Sequence, residues 1–157
     1  MQRSSRLRLA IGVGAVALAG IAALAAPGST PAQGPDSGRV PVNVMVVQTS
    51  NQKGEVDPRA QDLHEKLKKQ LRYKSMRVIQ EQRVDLEMNQ VGTVELPDGR
   101  KVRMRPLHKG AKGVLMAVDV QGAVKLDARA PNHHKVVIGA GEYQNGNLAV
   151  SIEPDYE

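Results

Sequence analysis

Val94-Glu95-Leu96-Pro97-Asp98-Gly99-Arg100-Lys101-Val102-Arg103-Met104 runs an alternation of apolar and polar residues into a Pro-Asp-Gly turn and out again. Successive side chains of a strand point to opposite faces, so Val94, Leu96, Val102 and Met104 share one face while Lys101, Arg103 and Arg105 share the other. Proline presets the backbone at the first corner of such a turn, and glycine takes the positive φ that other residues resist. The stretch is a β-hairpin, with its apolar side turned to a core.

Downstream the same period continues. Val114, Met116, Val118 and Val120 form one set, a turn falls near Gln121-Gly122, and Val124, Leu126 and Ala128 alternate against Lys125, Asp127 and Arg129. Pro131-Asn132 marks the next reversal. Val136 to Ile138 and Leu148 to Ile152 are expected as the final strands, joined through Gly139, Gly141 and a two-residue Asn145-Gly146 loop. Upstream, Met76 and Val78 hold the parity of Val84, Leu86 and Met88, and Gln80 and Gln82 interrupt that face, which predicts a bend or bulge.

Val42 to Gln48 is a near-continuous apolar run, as in a strand buried on both faces and central in its sheet. Asp57-Pro58 reads as a helix start, with the carboxylate as cap and proline at the first helical position. Ala60, Leu63, Leu67 and Leu71 then form a narrow apolar stripe, predicting a helix from Pro58 to Arg72 laid on the surface of a sheet. The fold class that follows is α+β, mainly β: an antiparallel sandwich or curved sheet of seven to eight strands with one N-terminal surface helix. Val46, Val84, Leu86, Val118 and Val136 are the expected core.

The N-terminus carries an address. Arg3, Arg6 and Arg8 form a cationic head, an apolar run follows from Leu9 to Leu24, and Ala23 and Ala25 bracket Leu24 in an A-x-A-like cleavage site. The run is short for a membrane span, which needs about 20 residues. Residues 1–25 are therefore read as a signal peptide, cleaved after Ala25 or, at a second candidate site, after Ala32. Residues 26–40, rich in proline and glycine, are read as a disordered linker, and residues 41–157 as a single globular domain. A periplasmic or secreted protein is expected.

Charge and composition narrow the function classes. Three of the 22 basic residues lie in the signal and all 16 acidic residues lie after it, which leaves the mature chain near +3. Nucleic acid is not expected as a partner, and membrane contact is expected only through an uncleaved signal or an anionic surface. The chain has no cysteine, so no disulfide supports the exported domain. With no Phe, no Trp and only Tyr73, Tyr143 and Tyr156, recognition of sugars or bases by stacking is disfavoured.

Motifs for chemistry fall short. His64-Glu65-Lys66-Leu67-Lys68 has lysine where an H-E-x-x-H zinc helix needs its second histidine. His133-His134 has no Cys, Asp or Glu close in sequence to complete a metal shell, and His108 reads as a loop residue. Ser50, Ser75 and Ser151 lack a G-x-S-x-G elbow, and Asp85 and Glu87 alternate with Val84 and Leu86 as solvent-facing strand residues do. No catalytic, metal or cofactor residues are assigned, and no cofactor is expected. Two basic groups remain: Lys66, Lys68, Lys69 and Arg72 on the helix followed by Lys74 and Arg77, and Arg100, Lys101, Arg103 and Arg105 with the last three on one strand face. Of these, Lys66, Lys69, Arg72, Lys101, Arg103 and Arg105 are the candidate interaction surface. Their competing use is as solvated faces that blunt sheet edges, neutralised by Asp62, Glu65, Glu81, Asp85 or Glu87.

Several segments together resemble a loose group of small exported envelope proteins from Gram-negative bacteria of the myxobacterial kind. They are Val44-Met45-Val46-Val47, Leu71-Arg72-Tyr73-Lys74-Ser75, Leu96-Pro97-Asp98-Gly99-Arg100, and Val137-Ile138-Gly139-Ala140-Gly141 through Gly146-Asn147-Leu148. This chain has Gly139-Ala140-Gly141 where a Gly-Gly-Pro-like ending is expected. The signal and the want of a chemical motif make a non-enzymatic exported protein acting by protein–protein contact in the cell envelope the expected reading, to which the resemblance adds an accessory of a surface, secretion or motility assembly. The alternatives are a binder of acidic polymer or an anionic surface through the basic groups and, as a third class, a small hydrolase with a site assembled across loops.

Overall fold

The computed structural model describes residues 38–157. The expected signal peptide and the linker as far as residue 37 lie outside the described residues. Eight strands make two antiparallel sheets of four. The first sheet takes the order β2-β1-β8-β7, from β1 (Arg39–Ser50), β2 (Ser75–Glu87), β7 (Val136–Tyr143) and β8 (Gly146–Pro154). The second runs β3-β4-β5-β6, from β3 (Gly92–Glu95), β4 (Lys101–Gly110), β5 (Gly113–Val120) and β6 (Val124–Ala130).

Alternation explains the layers. Val40, Val42, Val44 and Val46 of β1 meet Val102 and Met104 of β4, and Val114, Met116, Val118 and Val120 of β5, in the core between the sheets. The intervening Met45 and Val47 face outward and are covered by Leu63 and Leu67 of the helix α1 (Gln61–Leu67). β1 is therefore central and buried on both faces, as its apolar run predicts. Arg39 and Val40, expected at the end of the linker, are already in β1, with Val40 fully buried opposite Leu86. Of the expected core, Val46, Leu86 and Val118 are buried, whereas Val84 and Val136 are half-buried because β2 and β7 are the outer strands of their sheet.

The interruption at Gln80 and Gln82 marks a real irregularity. Val46 pairs with Gln80 and Val47 with Val78, so Ile79 is an extra residue in β2. A bulge of this kind shifts the alternation by one. Met76 and Val78 consequently pack under the helix rather than sharing the inter-sheet core with Val84 and Leu86.

The Pro97-Asp98-Gly99 hairpin forms as read: Gly99 has φ +83° and the Leu96 N–H donates to the Arg100 carbonyl oxygen at 2.7 Å. The last hairpin differs from expectation. Its two-residue loop is Gln144-Asn145, with positive φ at Gln144, and Gly146 already belongs to β8. Glycine at 146 answers to packing, since a β-carbon there would collide with the Thr49 carbonyl of β1.

The helix is much shorter than the apolar stripe suggests. Asp57 does cap, its carboxylate accepting from the Arg59 N–H at 3.0 Å, but Pro58–Ala60 is a 3-10 turn, and α1 ends at Leu67. The contact that goes with this end lies nine residues beyond His64. The Tyr73 hydroxyl sits 2.9 Å from His64 Nδ1 and donates to the His64 carbonyl at 3.4 Å, folding the chain back instead of extending the helix. Leu71, the expected fourth member of the stripe, is 48% exposed.

Candidate functional site

The two basic groups lie on opposite outer faces of the sandwich, and their surroundings differ. Lys101, Arg103 and Arg105 alternate with Val102, Met104 and Pro106, and point away from the inter-sheet core. Across the strands, Lys101 stands opposite Glu95, and Arg103 opposite Asp119. Arg105 faces Ala117, whose other neighbour is Asp127. The β4 group is thus embedded in a mixed-charge sheet face, with acidic neighbours other than those the sequence suggests. Opposite charges directly across a pair contribute roughly 0.2–1 kcal/mol each. Arg100 leaves this face altogether: it is half-buried, donates Nε to Asp98 at 2.7 Å and Nη1 to the Gln121 carbonyl at 3.4 Å.

Among the described residues neither group is tied down by ion pairs, since Asp119 opposite Arg103 pairs with Lys125. Around the helix group one carboxylate, Glu65, lines the same side, held down first by its hydrogen bond with Lys68 and in part by the charge of Lys69. Glu65 pairs with Lys68, Asp62 with Lys135 at 3.5 Å, Asp85 with Arg83 and Glu87 with Arg39. Among the described residues, no carboxylate forms an ion pair with Lys66, Lys69 or Arg72, all of which are exposed. The early end of α1 brings them together. Once the helix stops at Leu67, the chain from Lys68 to Tyr73 turns back along the outer face of the first sheet, and Lys66, Lys69 and Arg72 become one wall of a cleft of about 940 Å³.

The floor of that cleft is β7 and β8. Val137, Gly139 and Gly141 of β7 line it, with Lys135 just before that strand, and Asn147 and Ala149 line it from β8. Between Gly139 and Gly141 the pairing register slips by one, so Ala140 is a bulge, and Gly141 takes φ +86°. A β-carbon built at Gly139 would meet nothing within 4 Å, so the floor there is open backbone. Leu71 also lines the cleft, adding an exposed apolar side chain to a cationic wall.

Tyr73 holds this wall in place from below. Its ring meets His64 edge-on at 5.5 Å between centroids, and burial, followed by the charge of Glu65, pushes its hydroxyl above the ordinary tyrosine value. The hydroxyl therefore stays protonated across the neutral range and keeps its hydrogen bonds. Two further histidines are separately engaged, His133 lying 3.3 Å from Asp155 and His134 Nδ1 2.8 Å from the Asn132 carbonyl, whereas His108, expected in a loop, lies in β4 opposite Leu115. Among the described residues, no three His, Cys, Asp or Glu side chains gather as a metal centre.

Of the six expected surface residues, the fold brings Lys66, Lys69 and Arg72 to one cleft and sets Lys101, Arg103 and Arg105 apart on the far sheet. Lys135, Gly139 and Leu71 were not anticipated as part of the site. No protein-family model matches the chain, and neither a curated protein nor a solved structure matches it.

Proposed function

We propose that this is a non-enzymatic exported protein that acts by protein–protein contact in the cell envelope, with the cleft between the end of α1 and β7 as its contact surface. The observation that carries this reading is the set of three unpaired cations, Lys66, Lys69 and Arg72, on one wall of a cleft floored by open backbone. With Glu65 as the one carboxylate among the cleft's lining residues, the wall keeps an excess of positive charge, which attracts an acidic surface and speeds its encounter. The exposed Leu71 beside them offers apolar contact, which a partner protein uses and a simple polyanion does not. The export signal and the resemblance to small envelope proteins support the compartment.

A second reading, binding of an acidic polymer, draws on the same three cations. The two part company over Leu71, salt and protease. Association of the protein with isolated envelopes is measured by co-sedimentation for wild type, for Lys69→Glu plus Arg72→Glu, and for Arg103→Glu plus Arg105→Glu. The cleft pair is expected to release the protein, and the β4 pair to leave association and folding nearly intact, because Val102 and Met104 still pack inward. Prior protease treatment of the envelopes abolishes association on the partner reading. Association that survives protease, and vanishes as salt shortens the roughly 8 Å screening length of physiological solution, establishes the polymer instead.

A further inference from the structure

The two edges of the first sheet are treated differently. At the start of the β2 edge the chain covers itself at Met76: Val56 bridges Met76 in parallel, the Asp57 N–H donates to the Met76 carbonyl at 2.8 Å, and the Met76 N–H donates to the Glu55 carbonyl at 3.2 Å. At the other edge, β7 pairs with β8 alone, and no strand of the described residues lies beyond it. Exposed edges are ordinarily blunted by lysine, proline, inward charges or bulges, and here the bulge at Ala140 leaves only the first half of the strand open. From Val136 to Tyr143, β7 contains no lysine, arginine or proline. The bulge at Ala140 limits regular pairing on its first half to Val136–Gly139, a length of about 13 Å at the usual rise per strand residue.

This short open edge borders the cationic cleft. A strand laid beside β7 would send alternate side chains to the outer face of the sheet, the side occupied by Lys66, Lys69, Arg72 and Leu71. Taking the cleft as the partner surface, we propose that an extended acidic segment of the partner adds to the free edge of β7 as a fifth strand of the sheet, with carboxylates of one parity reaching Lys66, Lys69 and Arg72. Main-chain hydrogen bonds along Val136–Gly139 hold the segment, and the cation wall selects its sequence, the division of labour of strand addition. Gly139 suits this role because it places no side chain between edge and wall.

The test uses the full chain and an alternating Glu-Val octapeptide, with two analogues, one N-methylated at every glutamate and one at every valine. In a strand the N–H groups of alternate residues point to opposite sides. Strand addition therefore predicts that one analogue loses more than about tenfold in affinity, as expected for several lost hydrogen bonds, while the other stays within about threefold of the parent. Amide exchange should slow at alternate residues of Val136–Gly139 when the parent peptide binds. If both analogues bind as the parent does, and Lys69→Glu plus Arg72→Glu still abolishes binding, strand addition is overturned and the cleft reading stands. If the parent peptide fails to bind, or binds the charge-reversed protein equally well, the cleft reading itself is overturned.

Discussion

Leu86→Ala paired with Gly92→Ala probes the core where the two sheets meet. Leu86 is 1% exposed, and a β-carbon at Gly92 of β3 would run into its Cδ2 and stand 3.2 Å from Val84 Cγ1. Leu86→Ala removes three carbons, about 0.8 kcal/mol each by transfer, and the residual cavity raises the expected cost to about 2–5 kcal/mol. Gly92→Ala alone overpacks the same spot and should cost about 1–3 kcal/mol. In the shortened Leu86 background the added methyl enters vacated space, and its backbone conformation suits alanine, since Gly92 is not among the positive-φ residues. The double variant should then be about 1 kcal/mol more stable than Leu86→Ala, combining a refilled methyl with reduced unfolded-chain entropy. Urea denaturation, with the slope held constant across variants, reads the cycle. Equal penalties for Gly92→Ala in both backgrounds would refute the Leu86–Gly92 contact, and a Leu86→Ala cost under about 0.5 kcal/mol would refute the burial of that face.

Three further outcomes are expected. Tyr73→Phe, which removes the hydroxyl from His64, should cost about 0.5–1.5 kcal/mol and speed amide exchange at Gln70 and Leu71, whereas Leu71→Ser should change stability by under about 0.5 kcal/mol in calorimetry. Asp57 is held down to about 2 by its side-chain hydrogen bond with Arg59 and by the Arg59 N–H. A carboxyl depressed in the folded state stabilises above its unfolded value and ceases to do so as pH falls toward its folded one, so wild type should lose more thermal stability than Asp57→Asn between about pH 4 and pH 2, and equal losses would contradict this. Intact-mass measurement of the exported protein should show removal of at least residues 1–25, and full-length protein in washed membranes would overturn the cleaved signal.

Local alternation made most of the sandwich legible. From Val94 to Met104 and from Val114 to Ala128 the inward residues sit two apart within each strand, and the turns carry Gly99 and Gly122 at positive φ, whereas the shift of register at Leu107 in β4 has no signal in that pattern. What escaped was set by contacts between distant segments. No glycine or proline announces the end of α1, and the contact that goes with it, Tyr73 on His64, joins residues nine apart in the chain. Gln80 and Gln82 located the β2 bulge, but only the register shows Ile79 as the extra residue that moves Met76 and Val78 beneath the helix. Half of the cleft was similarly hidden. Lys66, Lys69 and Arg72 stood out by charge, while Lys135 and Gly139 are far along the chain and meet them only because β7 closes the sheet at the edge beside α1.

Site-specific photocrosslinking in intact cells tests the partner surface most directly. A photoreactive residue is placed at Leu71, inside the cleft, and in a second strain at Arg103, on the far sheet. The cleft as partner surface predicts a discrete protein adduct from position 71, lost when Lys69→Glu and Arg72→Glu are added, and none from position 103. A discrete adduct from position 103 with none from position 71 would contradict it.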